Sequence, residues 1–351
     1  MARAALSTMG ERQVRDVRLC ILGFGHVTQR FCEMVREHEH RLASEHGVRF
    51  LVTAVGTGSH GSWLDSTGQT PREVLKQFRA NGERFPDAER LGLDLIKESG
   101  AKVLVEATPL TQRGEPAISH VDAAFDAGMD VVTVNKGPIA WDYRRLRDRA
   151  DSEGRGFRHE GVTMDGCPVY NLVEYCLPGD RVMGFRGVLN STTNYVLDTM
   201  AEGASMDEAI REAVDAGIAE TDPSYDIEGH DAAAKVAALA NVLLEADLTP
   251  DKVERESMAG LTPDDVAKVL SYGRRLRLIG EASRDEDGSV TARVALIPTR
   301  SQDPMYWIAG TSSCLILETE LAGTVEIVER DGLVTQTAYA VYADLLTLTN
   351  G

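Results

Sequence analysis

The chain has 351 residues, enough for two domains, and its 43% hydrophobic content supplies a sizeable core. The formal net charge of −18 and the sequence pI near 4.9 create a field that repels phosphate backbones, which argues against nucleic acid as a partner. Only 7 of the 37 basic residues are Lys. An acid-rich, Lys-poor surface fits a very salty cytoplasm, where screening blunts self-repulsion; an ordinary acidic protein fits the same composition.

Cys20, Cys32, Cys167, Cys176 and Cys314 are scattered and odd in number, which predicts reduced, buried thiols of a cytoplasmic protein. No apolar run approaches membrane-spanning length, so no membrane association is expected. Residues 1–16 lack the apolar segment of a signal peptide and are predicted to be a loose extension.

Residues 17–22, VRLCIL, form a short apolar run that ends in GFGH. Residues 27–46 follow with a helical period, and 49–55 are a second apolar run. Strand, glycine turn, helix and strand make a βαβ unit. Residues 56–100 are rich in Gly, Ser, Asp and Pro, with helical pieces at 71–78 and 87–98. A strand at 101–106, a helix at 120–128 and a strand at 130–134 continue the alternation. These elements predict an α/β fold, with a Rossmann-type doubly wound parallel sheet over 17–150.

Past residue 155 the pattern changes. RVMGFRGVL reads as a strand, and helices follow at 193–200, 205–216 and 230–244. TARVALIP, LILETEL and VEIVE read as later strands, and 337–348 as a closing helix. This predicts an α+β catalytic and dimerisation domain over 151–325, with 326–351 returning to the dinucleotide-binding domain. No internal repeat is visible.

Four constellations carry chemistry. Gly23-Phe24-Gly25-His26-Val27-Thr28 follows a strand and opens a helix, as a dinucleotide turn must. Glycines let the backbone approach a pyrophosphate, which the helix N-terminus stabilises. Thr28 stands at the third fingerprint glycine, where a Cβ is expected to loosen packing or shift the cofactor. The second strand ends in Gly56-Thr57-Gly58-Ser59-His60, without the acid that usually binds the ribose of NAD. Small hydroxyl residues leave room for a 2′-phosphate, so NADP is favoured over NAD.

Thr133-Val134-Asn135-Lys136-Gly137-Pro138 follows a buried strand, at the end where such sheets bind ligands. Lys136 suits an anion or a proton transfer there; a solvated loop Lys has the same sequence. The densest segment runs from Gly217 to Lys235, with Glu220, Asp222 and Asp226 in a loop broken by Pro223. Asp231 and Lys235 are four apart on the next helix and share a face. That helix is otherwise almost all Ala, Val and Leu, so a charged pair on it requires a partner or a function; an exposed helix-start salt bridge is the plainer reading. Finally, Asn190-Ser191-Thr192-Thr193-Asn194 leads a strand into a helix, which suits either a small carboxylate or plain capping. The eight histidines show no metal spacing.

Together, VRLCILGFGHV, VEATP, AGMDVVTVNKGPIA, GVLNSTTNYVL and AETDPSYDIEGHDAAAK resemble homoserine dehydrogenase, in that family's order, from about 17 to 348. The resemblance is to the short form without a C-terminal regulatory domain. It implies reversible NAD(P)-dependent hydride transfer between aspartate semialdehyde and homoserine, feeding threonine and methionine synthesis, and a homodimer paired through the second domain. It also implies that Lys235 and Lys136 are catalytic, and that Glu220, Asp231, Asp226, Thr192 and Asn190 bind substrate. Gly23, Gly25, His26, Val27, Thr57, Thr108 and Lys136 would line the cofactor. The family binds a monovalent cation, Na+ or K+, through backbone carbonyls of a segment matching 160–168, which implicates Glu160, Thr163 and Asp165.

The chain departs from the family pattern at four places: Thr28; Met164-Asp165 in the cation loop; Ser191; and Asp331-Gly332-Leu333, where a Gly-Ala-Gly turn usually nears the cofactor. Rival readings are an NAD(P)-dependent oxidoreductase acting on a different small amino acid or semialdehyde, and a non-catalytic nucleotide-binding regulator. The joint presence of Lys136, Glu220, Asp231 and Lys235 argues against the regulator. Arg cannot release a proton near neutral pH, whereas burial tunes a Lys toward it, which gives a reason for Lys at 136 and 235 in an Arg-rich chain.

Overall fold

A computed structural model describes residues 14–87 and 92–350. The expected extension over 1–16 lies mostly outside these residues, but Arg15 and Asp16 already belong to the first strand.

The chain forms twelve strands: β1 (Arg15–Leu22), β2 (Val48–Gly56), β3 (Ser62–Gln69), β4 (Val103–Glu106), β5 (Asp130–Thr133), β6 (Phe157–Arg158), β7 (Val182–Val188), β8 (Glu254–Arg255), β9 (Arg274–Arg284), β10 (Val290–Arg300), β11 (Ser313–Thr319) and β12 (Thr324–Glu329). They build two six-stranded sheets. The first has the order β3-β2-β1-β4-β5-β6, parallel except for the edge strand β3. β1 pairs with β2 in parallel from Arg15↔Val48, as a βαβ unit requires. The strand order reverses between β1 and β4, and open α/β sheets bind ligands at that crevice.

The central strands read as continuous apolar runs because both faces are covered. Val17, Leu19 and Ile21 join one core with Phe31 of the His26–Glu37 helix and with Ala338, Val341 and Leu345 of the C-terminal helix Val334–Asn350. Cys20 and Leu22 point the other way, into a core with Leu95, Val121 and Leu146 from three other helices. The closing helix therefore packs against the first sheet.

The second sheet has the order β12-β11-β7-β9-β10-β8 and is antiparallel apart from the β8–β10 pair. One face packs Phe185, Leu278, Leu315 and Leu317 against Val236 and Leu239 of the His230–Leu243 helix. Gly280 on β9 lets that helix approach closely: a Cβ there would overlap the Val236 side chain.

Several boundaries differ from expectation. The helix expected over 27–46 ends at Glu37 and gives way to shorter turns before Gly47, whose φ of +64° closes them in a left-handed conformation. The helix expected at 87–98 is observed as Gly92–Glu98, and residues 88–91 lie outside the described residues. The strand β3 was not expected at all: SWLDSTGQ is a half-exposed edge with little apolar alternation. The exposed Cys176 departs from the expectation of buried thiols.

Candidate active site

The turn after β1 requires glycine first. Gly23 has φ +88°, and a Cβ there would overlap the Ala107 carbonyl at the end of β4. Gly25 is the N-cap of the His26–Glu37 helix, and a Cβ on it would meet nothing within 4 Å, so this glycine faces the open crevice. No acid stands in the first turn of that helix, which leaves its N-terminus suited to an anion. Thr28 does not loosen the turn. Its buried hydroxyl donates to the carbonyls of Gly23 at 3.0 Å and Gly25 at 3.2 Å, tying the loop to the helix. The Thr57 hydroxyl donates to the Gly61 carbonyl at 2.8 Å and accepts the His60 N–H at 2.7 Å, so it braces its own turn.

Next to this turn lies a polar network that sequence reasoning missed. Glu106, fully buried at the end of β4, accepts the Thr108 N–H at 2.9 Å and faces His120 Nδ1 at 2.8 Å. The Asn135 side chain donates to the Thr108 carbonyl at 2.8 Å and accepts the Gly137 N–H at 2.8 Å, capping the Lys136–Glu153 helix. Glu106 thus fixes Thr108, Thr108 fixes Asn135, and Asn135 fixes the helix start that carries Lys136.

Across the crevice, Asp231 and Lys235 begin the His230–Leu243 helix. Lys136 Nζ lies 3.3 Å from Asp231 Oδ1, and Lys235 Nζ lies 3.3 Å from Asp231 Oδ2. Lys235 also donates to the Leu189 carbonyl at 2.6 Å. Asn190 caps the Ser191–Ala201 helix through Thr193, and its amide donates to Asp226 at 2.8 Å and to Asp231 at 2.9 Å. The structure therefore brings together Lys136, Asn190, Asp226, Asp231 and Lys235, with the buried Thr192 close enough to help hold the Asp226 carboxyl down. Capping and cluster-building are both roles of Asn190, so the two readings of that turn are compatible.

Glu220 is not in this cluster. It is exposed and, among the described residues, makes no hydrogen bond or ion pair.

Electrostatics separate the groups. Burial works to raise the Asp231 carboxyl, but Lys136, Lys235 and the Asn190 amide hold it far below the usual carboxylate range. Burial and the charge of Asp231 push Asp226 up, against Asn190, Thr192 and Lys235. The expectation that burial tunes Lys235 toward neutral pH is overturned. Burial does favour the neutral amine, but Asp231, Asp165 and Asp226 outweigh it and hold Lys235 above the usual lysine value. Lys235 is a firmly held ammonium that can give a proton to a developing alkoxide.

The segment expected to hold a cation is anchored to the closing helix. The Glu160 N–H donates to Asp344 Oδ2 at 2.9 Å, and the Glu160 carboxylate accepts the N–H groups of Tyr170 at 2.8 Å and Asn171 at 2.9 Å. Burial pushes the Asp344 carboxyl up to about 7. Among the described residues, no hydrogen bond is donated to the carbonyls of Thr163 or Asp165. Two unclaimed carbonyls in a tight loop fit an oxygen-ligated hard cation.

Residues 168–346 match the family model described as homoserine dehydrogenase. The chain belongs to the homoserine dehydrogenase family. It is 33% identical to the NAD(+)-dependent homoserine dehydrogenase of Pseudomonas canavaninivorans, over 94% of this chain and 96% of the relative. It is 34% identical to the homoserine dehydrogenase of Methanocaldococcus jannaschii, over 95% of this chain and 98% of that protein. The crystal structure of homoserine dehydrogenase from Thermoplasma acidophilum superposes with a TM-score of 0.83 at 26% identity, covering 96% of this chain and all of that one. Within this homoserine dehydrogenase frame, no described helix is long and apolar enough to cross a membrane. Ser191 is the first residue of its helix, where any small residue fits beneath the Asn190 cap.

Proposed function

We propose that the chain interconverts aspartate semialdehyde and homoserine by reversible hydride transfer with NAD or NADP, as a step toward threonine and methionine in the cytoplasm. The observation that carries this reading is the pair of lysines held on one carboxylate, Asp231, beside the crevice of the first sheet. The nicotinamide supplies or accepts the hydride when bound. Lys235, kept charged by Asp231, gives a proton to the C4 oxygen as negative charge develops there. Lys136 grips the substrate carboxylate or assists that proton transfer. Asp231, Asp226, Asn190 and Thr192 position the amino-acid end; Glu220, exposed and outside the cluster, is read as a substrate-binding residue on the family motif alone.

Residues 17–150 and 326–351 hold the cofactor at Gly23, Gly25, His26, Val27, Thr57 and Thr108. Residues 151–325 hold the substrate and pair two subunits. The lack of an acid at 57–60 favours NADP, whereas the Pseudomonas relative is named for NAD(+). The carbonyls of Glu160, Thr163 and Asp165 are read as ligands of Na+ or K+. The test is homoserine oxidation with each cofactor across a range of salt. Absence of turnover with both cofactors at every salt concentration sinks the reading.

A further inference from the structure

Residues 107–116 form the loop between β4 and the Ala117–Asp126 helix, at the crevice of the first sheet. The loop begins against the glycine turn, where the Ala107 carbonyl leaves no room for a Cβ on Gly23. Near its far end, Gly114 packs on Gly137, the second residue of the helix that carries Lys136. A Cβ on Gly137 would stand 2.6 Å from the Gly114 Cα, and a Cβ on Gly114 would stand 3.0 Å from the Gly137 carbonyl oxygen. Backbone thus lies directly on backbone. The Asn135 amide adds its bond to the Thr108 carbonyl at the near end. The loop therefore supports the start of the Lys136 helix at two points.

Little in the loop itself holds it in place. Of residues 107–116 only Gly114 is buried, so no side chain of the loop is anchored in a core. A segment of that kind opens readily unless something ties it down. The tie is at its base. Glu106 immediately precedes the loop, His120 lies in the first turn of the helix that follows, and His120 Nδ1 stands 2.8 Å from Glu106 Oε2. Glu106 is fully buried and His120 is 7% exposed. Among the described residues no Lys or Arg makes an ion pair with Glu106; His120 does. The other carboxylate oxygen accepts the Thr108 N–H and the Thr108 hydroxyl. A buried carboxylate without partners is costly, so His120 and Thr108 together satisfy Glu106 while closing the loop on itself.

We propose that Glu106 and His120 are positioning residues for the reaction. Their contact staples the 107–116 loop, and the stapled loop seats the helix start from which Lys136 reaches Asp231 at 3.3 Å. This rests on the reading of Lys136 as a catalytic lysine and adds two residues that act through it.

The test is a double-mutant cycle on turnover. His120→Leu removes the tie and should lower kcat by about 10²-fold, the cost of misplacing a reacting group by about 1 Å. In a Lys136→Met background the same change should cost far less, because the residue being positioned is gone. Equal losses in the two backgrounds overturn action through Lys136. His120→Asn offers an amide N–H near the place of Nδ1–H and should keep most of the turnover. Glu106→Gln should keep most of it too, since its amide oxygen accepts from Thr108 and its N–H donates to the imidazole. A loss in Glu106→Gln as large as in His120→Leu shows that the charge matters rather than the tie, and overturns the staple. If His120→Leu fails to fold because it leaves Glu106 unpaired, the double variant Glu106→Leu/His120→Leu decides. It buries no unpaired charge, and it should show the same loss and the same dependence on Lys136.

Amide hydrogen exchange gives a reading independent of turnover. Residues 107–116 and the first turn of the Lys136 helix should exchange faster in the variant without the tie, while the second sheet is unchanged. Unaltered exchange in the loop overturns the staple. Wild-type turnover in Lys136→Met overturns the catalytic reading of Lys136 and the positioning role with it. Exchange then still reports whether the staple holds the loop, so the two failures are told apart.

Discussion

Lys136 and Asp231 meet at 3.3 Å although they open helices that belong to different sheets. Lys136 starts the helix after β5, at the crevice of the first sheet, and Asp231 lies in the first turn of the helix beneath the second sheet. Their ion pair joins the two halves of the site, and Asp231 passes the contact on to Lys235. A change at any of the three should be felt on both sides of the crevice.

Replacing Lys235 by Arg keeps the positive charge but puts a delocalised guanidinium, a far weaker acid, in place of the compact ammonium. Turnover should fall by about 10²–10⁴-fold, the usual worth of general acid catalysis. Cofactor affinity, read by direct titration, should hardly change, because the turn proposed to hold the pyrophosphate lies at Gly23 and Gly25. A Lys235→Arg enzyme with near wild-type turnover contradicts the proton-donor role. Lys136→Arg should also slow turnover, with a raised KM if Lys136 grips the carboxylate.

Asp231→Asn takes away a charge that holds Lys235 above its usual pKa. Lys235 should then lose its proton at lower pH. The alkaline limb of semialdehyde reduction, measured as kcat/KM against pH, should shift toward neutrality. An unmoved limb in the variant detaches Asp231 from the protonation of Lys235. Unpairing two partly buried lysines should also cost on the order of 3–5 kcal/mol in urea unfolding.

Asp344 offers a stability test. Its carboxyl is held at about 7 in the folded chain, above its unfolded value. The stabilisation from its neutral form is therefore complete below the ordinary carboxylate pKa and is lost as pH rises through about 7. Asn at 344 stays neutral and keeps an oxygen for the Glu160 N–H. Between about pH 5 and 8 the Asp344→Asn midpoint should decline less than the wild-type midpoint. Parallel pH profiles for the two proteins would show that Asp344 ionises freely in place.

Cofactor choice should follow the turn after β2. With no acid at 57–60 to repel a 2′-phosphate, NADP should bind at least as tightly as NAD in a direct titration. Tight NAD binding without detectable NADP binding assigns the selection to residues outside this turn.

The composition makes a separate prediction about salt. A net charge of −18 with Lys nearly excluded should let KCl raise the unfolding midpoint into the molar range, as self-repulsion is screened. A midpoint that is flat or falling over that range removes the halophilic reading.

The sequence by itself determined the elements whose local pattern was strong. Doubly buried strands such as VRLCIL are continuous apolar runs, and the glycine turn, the Asn190 cap and the Asp231–Lys235 spacing are short-range relations visible in a line of residues. It did not determine β3, whose SWLDSTGQ reads as loop because an exposed edge needs no apolar alternation. Only the tertiary structure decided which distant charges share a space. Lys136 reaches Asp231 across 95 positions, Glu160 rests on Asp344, and Asp165 faces Glu329 over Gly332. A lone acid in a sequence carries no sign of its burial, because desolvation depends on atoms that other elements deliver. For the same reason Lys235 lies above its usual pKa rather than below it: burial alone predicts a neutral amine, and the carboxylates folded around it reverse the sign.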